Sequence, residues 1–349
     1  VSGGLRPLLI DPQTFDAQLA PEFDGRSSAI AYSSFRLWKA IGVGEALVSK
    51  AQNIEQILVT DGRTPGAANG AASPFFLRFD SAEIADRTDG EPLGYMLENR
   101  SIRAALAQAV MDAAIPVLAP ATVVSASVDA AAAEVTLSDG RVLRAPLVVG
   151  AEGRHSIIRQ AAKIGTVGWD YAQSGVVATV AMAKPHEGVA HEYFLPSGPF
   201  AILPLTGNRA SLVWTEKTDR AEALRSARPE VFEAHLRRRF GDFLGEIEVL
   251  GPRFVYPLSL QLAEDMAAPR LVLMGDAAHG VHPIAGQGLN LGLKDAAALA
   301  EVLTDAVRLG EDIGSLVVLE RYAAWRRFDN VMLAAATDVF VRLFSNDNP

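Results

Sequence analysis

The chain contains no cysteine, which excludes disulfides, thiolate-ligated metal and thiol catalysis. It has no excess of positive charge: 32 Lys and Arg stand against 41 Asp and Glu, a formal net charge of -9. With no broad basic patch, nucleic acid is not an expected partner. No apolar run is long enough to span a bilayer, and no secretory leader opens the sequence as given. No internal repeat stands out, and the only biased tract is the short run Ala130 to Ala133. What is present is apolar material, 49% of 349 residues against 21% charged, enough for a sizeable core and two or so domains.

Helical and extended periodicities alternate along the chain. Leu8-Leu9-Ile10-Asp11 reads as a short buried strand ending in a carboxylate. Residues 101–113 read as a helix feeding a strand at 116–118. Val123 to Val128, Glu134 to Leu137 and Val142 to Val149 form an expected meander, with Asp139-Gly140 as a hairpin turn. From about residue 170 the pattern turns β-rich, through Val176 to Met182, Glu192 to Phe194, Ala201 to Leu205, Ala210 to Trp214 and Pro257 to Leu262. A helix interrupts it over 229–240, with Phe232, Leu236 and Phe240 on one face. A β-rich run set between α/β segments implies a second, sheet-based domain.

The most informative stretch is 271–295. Leu271 to Met274 is an apolar run suited to a strand buried on both faces. Gly275-Asp276 ends it, a Gly286-Gln287-Gly288 turn follows, and then a helix whose apolar residues recur at Leu289, Leu293, Ala296, Ala300, Leu303 and Val307. Strand, glycine turn and helix together hold anions, because glycines admit close backbone approach and the helix N-terminus presents free N–H groups. Asp276 is placed to accept hydrogen bonds from sugar or ribitol hydroxyls, and Gln287 and Asn290 add amides to the turn. Asp11, at its own strand end, is where a dinucleotide fold holds a ribose hydroxyl.

The string Gly275-Asp276-Ala277-Ala278-His279 followed by His282-Pro283-Ile284-Ala285-Gly286-Gln287-Gly288-Leu289-Asn290-Leu291-Gly292-Leu293 resembles the second flavin motif of the FAD-dependent aromatic hydroxylases of the p-hydroxybenzoate hydroxylase type, closest to their ubiquinone-biosynthesis (UbiH-type) branch. Asp24-Gly25-Arg26 is similar to that family's Asp-x-Arg segment. Gly150-Ala151-Glu152-Gly153-Arg154-His155-Ser156-Ile157-Ile158-Arg159 is similar to its Gly-Ala-Asp-Gly-x-x-Ser-x-x-Arg motif, with Glu152 where Asp is usual. The resemblance implies an α/β fold in which an FAD-binding Rossmann-like domain of the glutathione-reductase type (1–51, 96–166 and 268–349) carries an inserted β-sheet substrate domain (52–95 and 167–267). Implied flavin contacts are Asp11, Arg26, Arg100, Glu152, Asp276, Pro283, Gly286, Gln287, Gly288, Leu289 and Asn290. The family's substrate pocket lies between sheet and flavin ring, which makes Phe200, Ile202, Pro204, Leu212, Trp214 and Tyr256 candidate lining residues, each equally readable as sheet core. His282, with His279 behind it, stands beside Pro283 as a candidate to orient a phenol or pass a proton, or equally to cap the loop; a two-His metal site is not expected.

By the same resemblance NADPH or NADH reduces FAD transiently, O2 is captured as a flavin C4a-hydroperoxide, and oxygen passes to a polyprenylated phenol of ubiquinone biosynthesis. Alternatives are a hydroxylase of a small soluble aromatic acid and a flavin-free scaffold subunit of a biosynthetic complex. The expected setting is cytoplasmic, at most peripheral at the inner face of the membrane, where Arg237-Arg238-Arg239 would meet anionic lipid or simply close a helix. The Gly-x-Gly-x-x-Gly turn that normally precedes the acidic ribose residue by about 20 positions is not found before Asp11. Val1-Ser2-Gly3-Gly4 reads instead as the end of a first helix, and the chain stops at Asn346 to Pro349 where the family continues. The expectation is a piece of a longer hydroxylase.

Overall fold

A computed structural model describes residues 3–20, 25–61 and 76–344. Val1, Ser2, Asp24 and Asn346 to Pro349, quoted above, lie outside the described residues. The chain divides into two compact units: 1–20, 106–169 and 259–337 form the first, and 21–105, 170–258 and 338–349 the second.

The first unit is organised around Leu271–Leu273, whose three side chains are fully buried. This strand runs parallel to Val148–Gly150 on one side and antiparallel to Ala267–Ala268 on the other. A separate parallel pair joins Leu9–Ile10 to Val117–Leu118, while Val123–Val128, Ala133–Leu137 and Val142–Ala145 form the meander. Its hairpin turns at Asp139-Gly140, where Gly140 has φ +87° and the Gly140 amide donates to the Leu137 carbonyl. The run 142–149 is not one strand. Pro146 has no amide to donate, so the ladder breaks there, and Val148–Gly150 leaves the meander for the parallel sheet.

The helix Gly288–Arg308 covers this core, but with a different face from the expected one. Leu289, Ala300 and Val307 are exposed, while Leu291, Asp295, Ala298, Leu299, Val302 and Ala306 point inward with Leu303. The helix is apolar on nearly every side, so periodicity left its phase open. A buried carboxylate, Asp295, sets the phase.

The second unit is built on a sheet whose strands run in the order Ile247–Ala263, Thr166–Met182, Arg209–Lys217, Gly198–Leu205, Val189–Leu195, Gln56–Asp61 and Phe76–Asp80. The neighbours among Thr166–Met182, Arg209–Lys217, Gly198–Leu205 and Val189–Leu195 are antiparallel, and Val189–Leu195 pairs parallel with Gln56–Asp61. Each expected strand here is part of a longer one. The helices Thr218–Ser226 and Pro229–Phe240 cover one sheet face, pressing Ala221, Leu224, Phe232, Leu236 and Phe240 onto Val176, Ala178, Tyr193, Phe200, Ile202, Leu212 and Trp214. Pro229 starts its helix at a position that needs no amide, and Gly241, at φ +77°, ends it. Burial of an aromatic such as Trp214 or Phe200 stabilises by about 4–6 kcal/mol before the entropy of ordering. At the other face, Ala190, Leu203 and Leu205 pack on Ile54 and Met96 of a small sheet formed by Ser27–Ala31, Gly94–Glu98 and Gln52–Ile54.

Candidate functional site

In the first unit the strand Leu271–Leu273 delivers the chain into a one-turn helix, Gly275–Ala277. Gly275 sits at φ +58°, a conformation that any side chain would strain. Asp295, two turns into the long helix, pins this turn from below: its Oδ2 accepts the Gly275 N–H at 3.0 Å and the Nε2–H of His279, and its Oδ1 accepts Arg326 Nε at 2.8 Å. Arg326 also reaches Asn330 Oδ1 at 3.1 Å and Asp329 Oδ2 at 2.6 Å. Burial pushes the Asp295 carboxyl up, yet the bonds from His279, Arg326 and Gly275 outweigh it and hold it below the ordinary carboxylate range. His279 is therefore a structural partner of Asp295, and its Nδ1 is buried with no hydrogen-bond partner among the described residues.

The pinned turn presents Asp276 outward, with half of its side chain accessible and Arg154 Nε 3.5 Å from its Oδ2. Arg154 is held by the Ser259 carbonyl at 3.1 Å and by the Ser259 hydroxyl. Its guanidinium lies across Gly280, where an added Cβ would stand 2.8 Å from the guanidinium carbon. Arg154 stands inside the Gly150-to-Arg159 motif, and its place in that motif is the one sequence signal for it. Downstream, His282 is buried and its Nδ1 accepts the Ile284 N–H at 3.2 Å, so it braces the loop that exposes Pro283. Gly286 has φ +61°, and Asn290 Nδ2 donates to the Gly286 carbonyl at 3.3 Å.

The long helix begins at Gly288 with no side-chain cap from Gln287. A methyl group placed on Gly288 would meet nothing within 4 Å. Amide donors at a bare helix N-terminus, a glycine that leaves room before them and an exposed carboxylate acceptor at Asp276 form a donor set that fits the ring and ribityl part of a flavin. Of the other expected contacts, Asp11 is half-buried and its Oδ1 accepts the Gln13 N–H at 2.8 Å. Glu152 is exposed, but its Oε1 holds the Ser156 hydroxyl at 2.6 Å and the Ile158 N–H at 2.9 Å, a capping arrangement for the helix Ile157–Ala161. The structure brings Asp276, Pro283, Gly286, Gln287, Gly288, Leu289 and Asn290 into one turn-and-helix segment.

In the second unit Arg26 is exposed with its guanidinium 4.7 Å from the Tyr256 ring centroid. Its carbonyl accepts the Asn99 N–H at 3.0 Å, next to Arg100, which is exposed in the first turn of Asn99–Asp112. Phe200, Ile202, Leu212 and Trp214 do not line a pocket wall. They are 0–2% exposed and lie under the helices Thr218–Ser226 and Pro229–Phe240. The pairing Phe200–Trp214 and Ile202–Leu212 puts all four on the helix-covered face, because side chains alternate between faces along a strand. Their neighbours Ala201, Leu203, Ser211 and Val213 occupy the opposite face, which the sequence reading missed. Arg239 is likewise turned inward, onto buried Glu216 and 4.9 Å from the Trp214 ring, and so does not form a surface triad with Arg237 and Arg238.

Comparison with known proteins places these features. The profile of the FAD binding domain family matches residues 4–327. The chain is 47% identical to ubiquinone hydroxylase UbiL of Rhodospirillum rubrum over 99% of this chain and 77% of that protein. It is 34% identical to the 3-demethoxyubiquinol 3-hydroxylase of Escherichia coli over 97% of this chain and 83% of that protein. Among solved structures, PqsL of P. aeruginosa in complex with 2-aminobenzoylacetate superposes with a TM-score of 0.80 at 23% identity, covering 99% of this chain and 91% of that one. At that identity the superposition speaks for the fold alone.

Proposed function

We propose that this chain, which belongs to the FAD binding domain family and is an FAD-dependent monooxygenase, hydroxylates a polyprenylated phenol in ubiquinone biosynthesis, with NADPH or NADH as transient reductant and O2 as co-substrate. The observation that carries the substrate class is the 47% identity along 99% of the chain to a ubiquinone hydroxylase.

When bound, FAD supplies the reduction and oxygen activation that no side chain here can perform. The protein's part is positioning and electrostatics. The amides of Gly288, Leu289 and Asn290 would steady negative charge at the flavin's pyrimidine edge. Asp276 would accept from ribityl hydroxyls, Arg154 would hold the Asp276 carboxylate in place, and Pro283 would give a rigid wall beside the ring. Asp11, Arg26, Arg100 and Glu152 are assigned supporting contacts, Glu152 with one oxygen already committed to its helix. A prenyl tail resides in lipid, so the reading places the protein in peripheral contact with a membrane or in a ubiquinone-biosynthesis complex. No helix among the described residues is long and apolar enough to cross a membrane.

The test is turnover of the FAD-loaded protein with NAD(P)H and a short-tailed prenylphenol under isotopically labelled O2. The expected product carries one labelled ring hydroxyl. Substrate-independent NAD(P)H oxidation, yielding only hydrogen peroxide with every prenylphenol offered, would sink the reading.

A further inference from the structure

The flavin side of the first unit is built from two separate pieces: the turn Gly275–Ala277, which carries Asp276, and the start of the helix Gly288–Arg308, which offers the amides of Gly288 to Asn290. A cofactor held by both needs them at a fixed spacing. Asp295 joins the two. It stands on that helix two turns after Gly288, and its Oδ2 accepts the Gly275 N–H at 3.0 Å. The same oxygen accepts from His279 Nε2, so one atom grips both ends of the segment that contains Asp276. Inside the segment the Ala278 N–H closes on the Gly275 carbonyl at 2.9 Å. Gly292, three residues before Asp295 and on the same helix face, lies against the turn: an added Cβ would stand 3.5 Å from Gly275 Cα.

The other oxygen is fixed from a different helix. Asp295 Oδ1 accepts Arg326 Nε at 2.8 Å and Asn330 Nδ2 at 3.5 Å, both from Leu316–Phe344. With both oxygens bonded and the side chain 0% exposed, Asp295 does not itself reach a bound molecule. Stability alone does not account for such a group, because a buried ion pair replaced by apolar side chains of similar volume is often as stable or more so. What an apolar replacement lacks is a directional acceptor. Gly275, at φ +58°, is the most permissive residue of the turn, and the bond to Asp295 sets where its N–H points.

We propose that Asp295 is a positioning residue for the flavin: it clamps the segment from Gly275 to His279 onto the helix that begins at Gly288, and so fixes the spacing between the Asp276 carboxylate and the amides of Gly288 to Asn290. This role rests on the flavin placement proposed above and deepens it. Binding constellations work only when held within about 0.5 Å of their geometry, and the side chains behind them do the holding. Arg154 Nε, 3.5 Å from Asp276 Oδ2, steadies that side chain, whereas Asp295 steadies the backbone beneath it.

The experiment separates the acceptor from the charge. In Asp295→Asn with Arg326→Met, an amide oxygen still accepts from Gly275 and His279, and no buried charge is left unpaired. In Asp295→Leu with Arg326→Met, nothing accepts. FAD dissociation constants are read by fluorescence titration, the midpoint potential of the bound flavin by dye equilibration, and the stability of the flavin-free proteins in urea. The asparagine pair should keep the wild-type dissociation constant within about threefold. The leucine pair should raise it about tenfold or more, in line with one lost hydrogen bond to a charged acceptor. It should also lower the midpoint potential, because the helix amides lose their alignment with the pyrimidine edge. Leu299→Ala, which opens a cavity under the same helix, should reduce stability in urea without moving either flavin readout. If the leucine pair does not fold, judged by circular dichroism, Asp295→Ala with Arg326→Met takes its place. A leucine or alanine pair with wild-type FAD affinity and potential overturns the assignment, as does a Leu299→Ala variant that weakens FAD equally, and either leaves the flavin placement standing. Wild type that binds no FAD, or binds it unchanged after Asp276→Ala, overturns the placement, and this assignment with it.

Discussion

Replacing Asp295 by alanine is the sharpest test of how the flavin-side turn is held. Its carboxylate is 0% exposed and serves the Gly275 amide, His279 and Arg326 at once. Asp295→Ala strips the acceptor from a turn held at a left-handed glycine and removes the buried counter-charge of Arg326, which keeps only Asp329 and Asn330. Breaking one side of a buried ion pair costs about 3–5 kcal/mol. With a urea slope of about 2–3 kcal/mol per molar, the unfolding midpoint should fall by about 1–2.5 M. Because the chain forms two units, circular dichroism is to be joined with hydrogen exchange. Peptides covering 271–308 should lose protection, and those covering 198–217 should not. Asp295→Ala combined with Arg326→Met should recover part of the loss, since no unpaired charge then remains. The pH dependence has a definite sign. The folded carboxyl is held below its unfolded value of about 3.8, so its contribution is full above that pH and is lost on acidification through the folded value. Wild type should therefore lose its advantage over the variant as the pH falls below about 4. A midpoint shift under about 0.3 M, or a double variant weaker than the single one, would refute the account of the network as a stabilised ion cluster.

Three further outcomes follow from the same geometry. Trp214→Ala should cost about 3–5 kcal/mol of stability through an unfilled core, and Ala201→Leu, at a position only 5% exposed, should cost about 1–3 kcal/mol by overpacking the opposite face; urea titrations of the two variants check the assignment of sheet faces. Gly288→Asp should raise melting temperature slightly, because acids favour a helix N-terminus, yet weaken FAD binding about tenfold by placing like charge on the flavin side, as read by flavin fluorescence titration. Glu192 has its folded value raised from 4.5 to about 8, so the fold binds a proton that the unfolded chain releases, and stability should decline as pH rises from 4.5 toward 8. Glu192→Gln should flatten that decline in urea titrations at several pH values, and an unchanged slope would show that the carboxyl is not held neutral.

What the sequence displayed openly was local. The strand 271–273, the turn at Gly275 and Gly286 and the helix from Gly288 are contiguous, and each is dictated by interactions within a few residues: apolar runs, left-handed glycines, a bare helix start. The helix Pro229–Phe240 was legible to the residue because proline opens it, glycine closes it and three large apolar side chains mark its face. The phase of Gly288–Arg308 was not, since alanines and leucines surround it and the deciding residue is a charged one facing inward, the reverse of what amphipathic reading assumes. The split of 142–149 was visible only as Pro146, and nothing nearby announced that Val148 leaves the meander to pair with Leu271.

The choice of sheet face for the large side chains was obscured for a longer-range reason. Gly198–Leu205 is apolar on both faces, so the strand itself does not say whether Phe200 or Ala201 looks into a site. That choice is made by the helices at 218–226 and 229–240, whose apolar residues claim the large side chains and leave the small ones on the other face. Size, which drew attention to Phe200 and Trp214, is thus evidence against a pocket role once a helix is available to cover them.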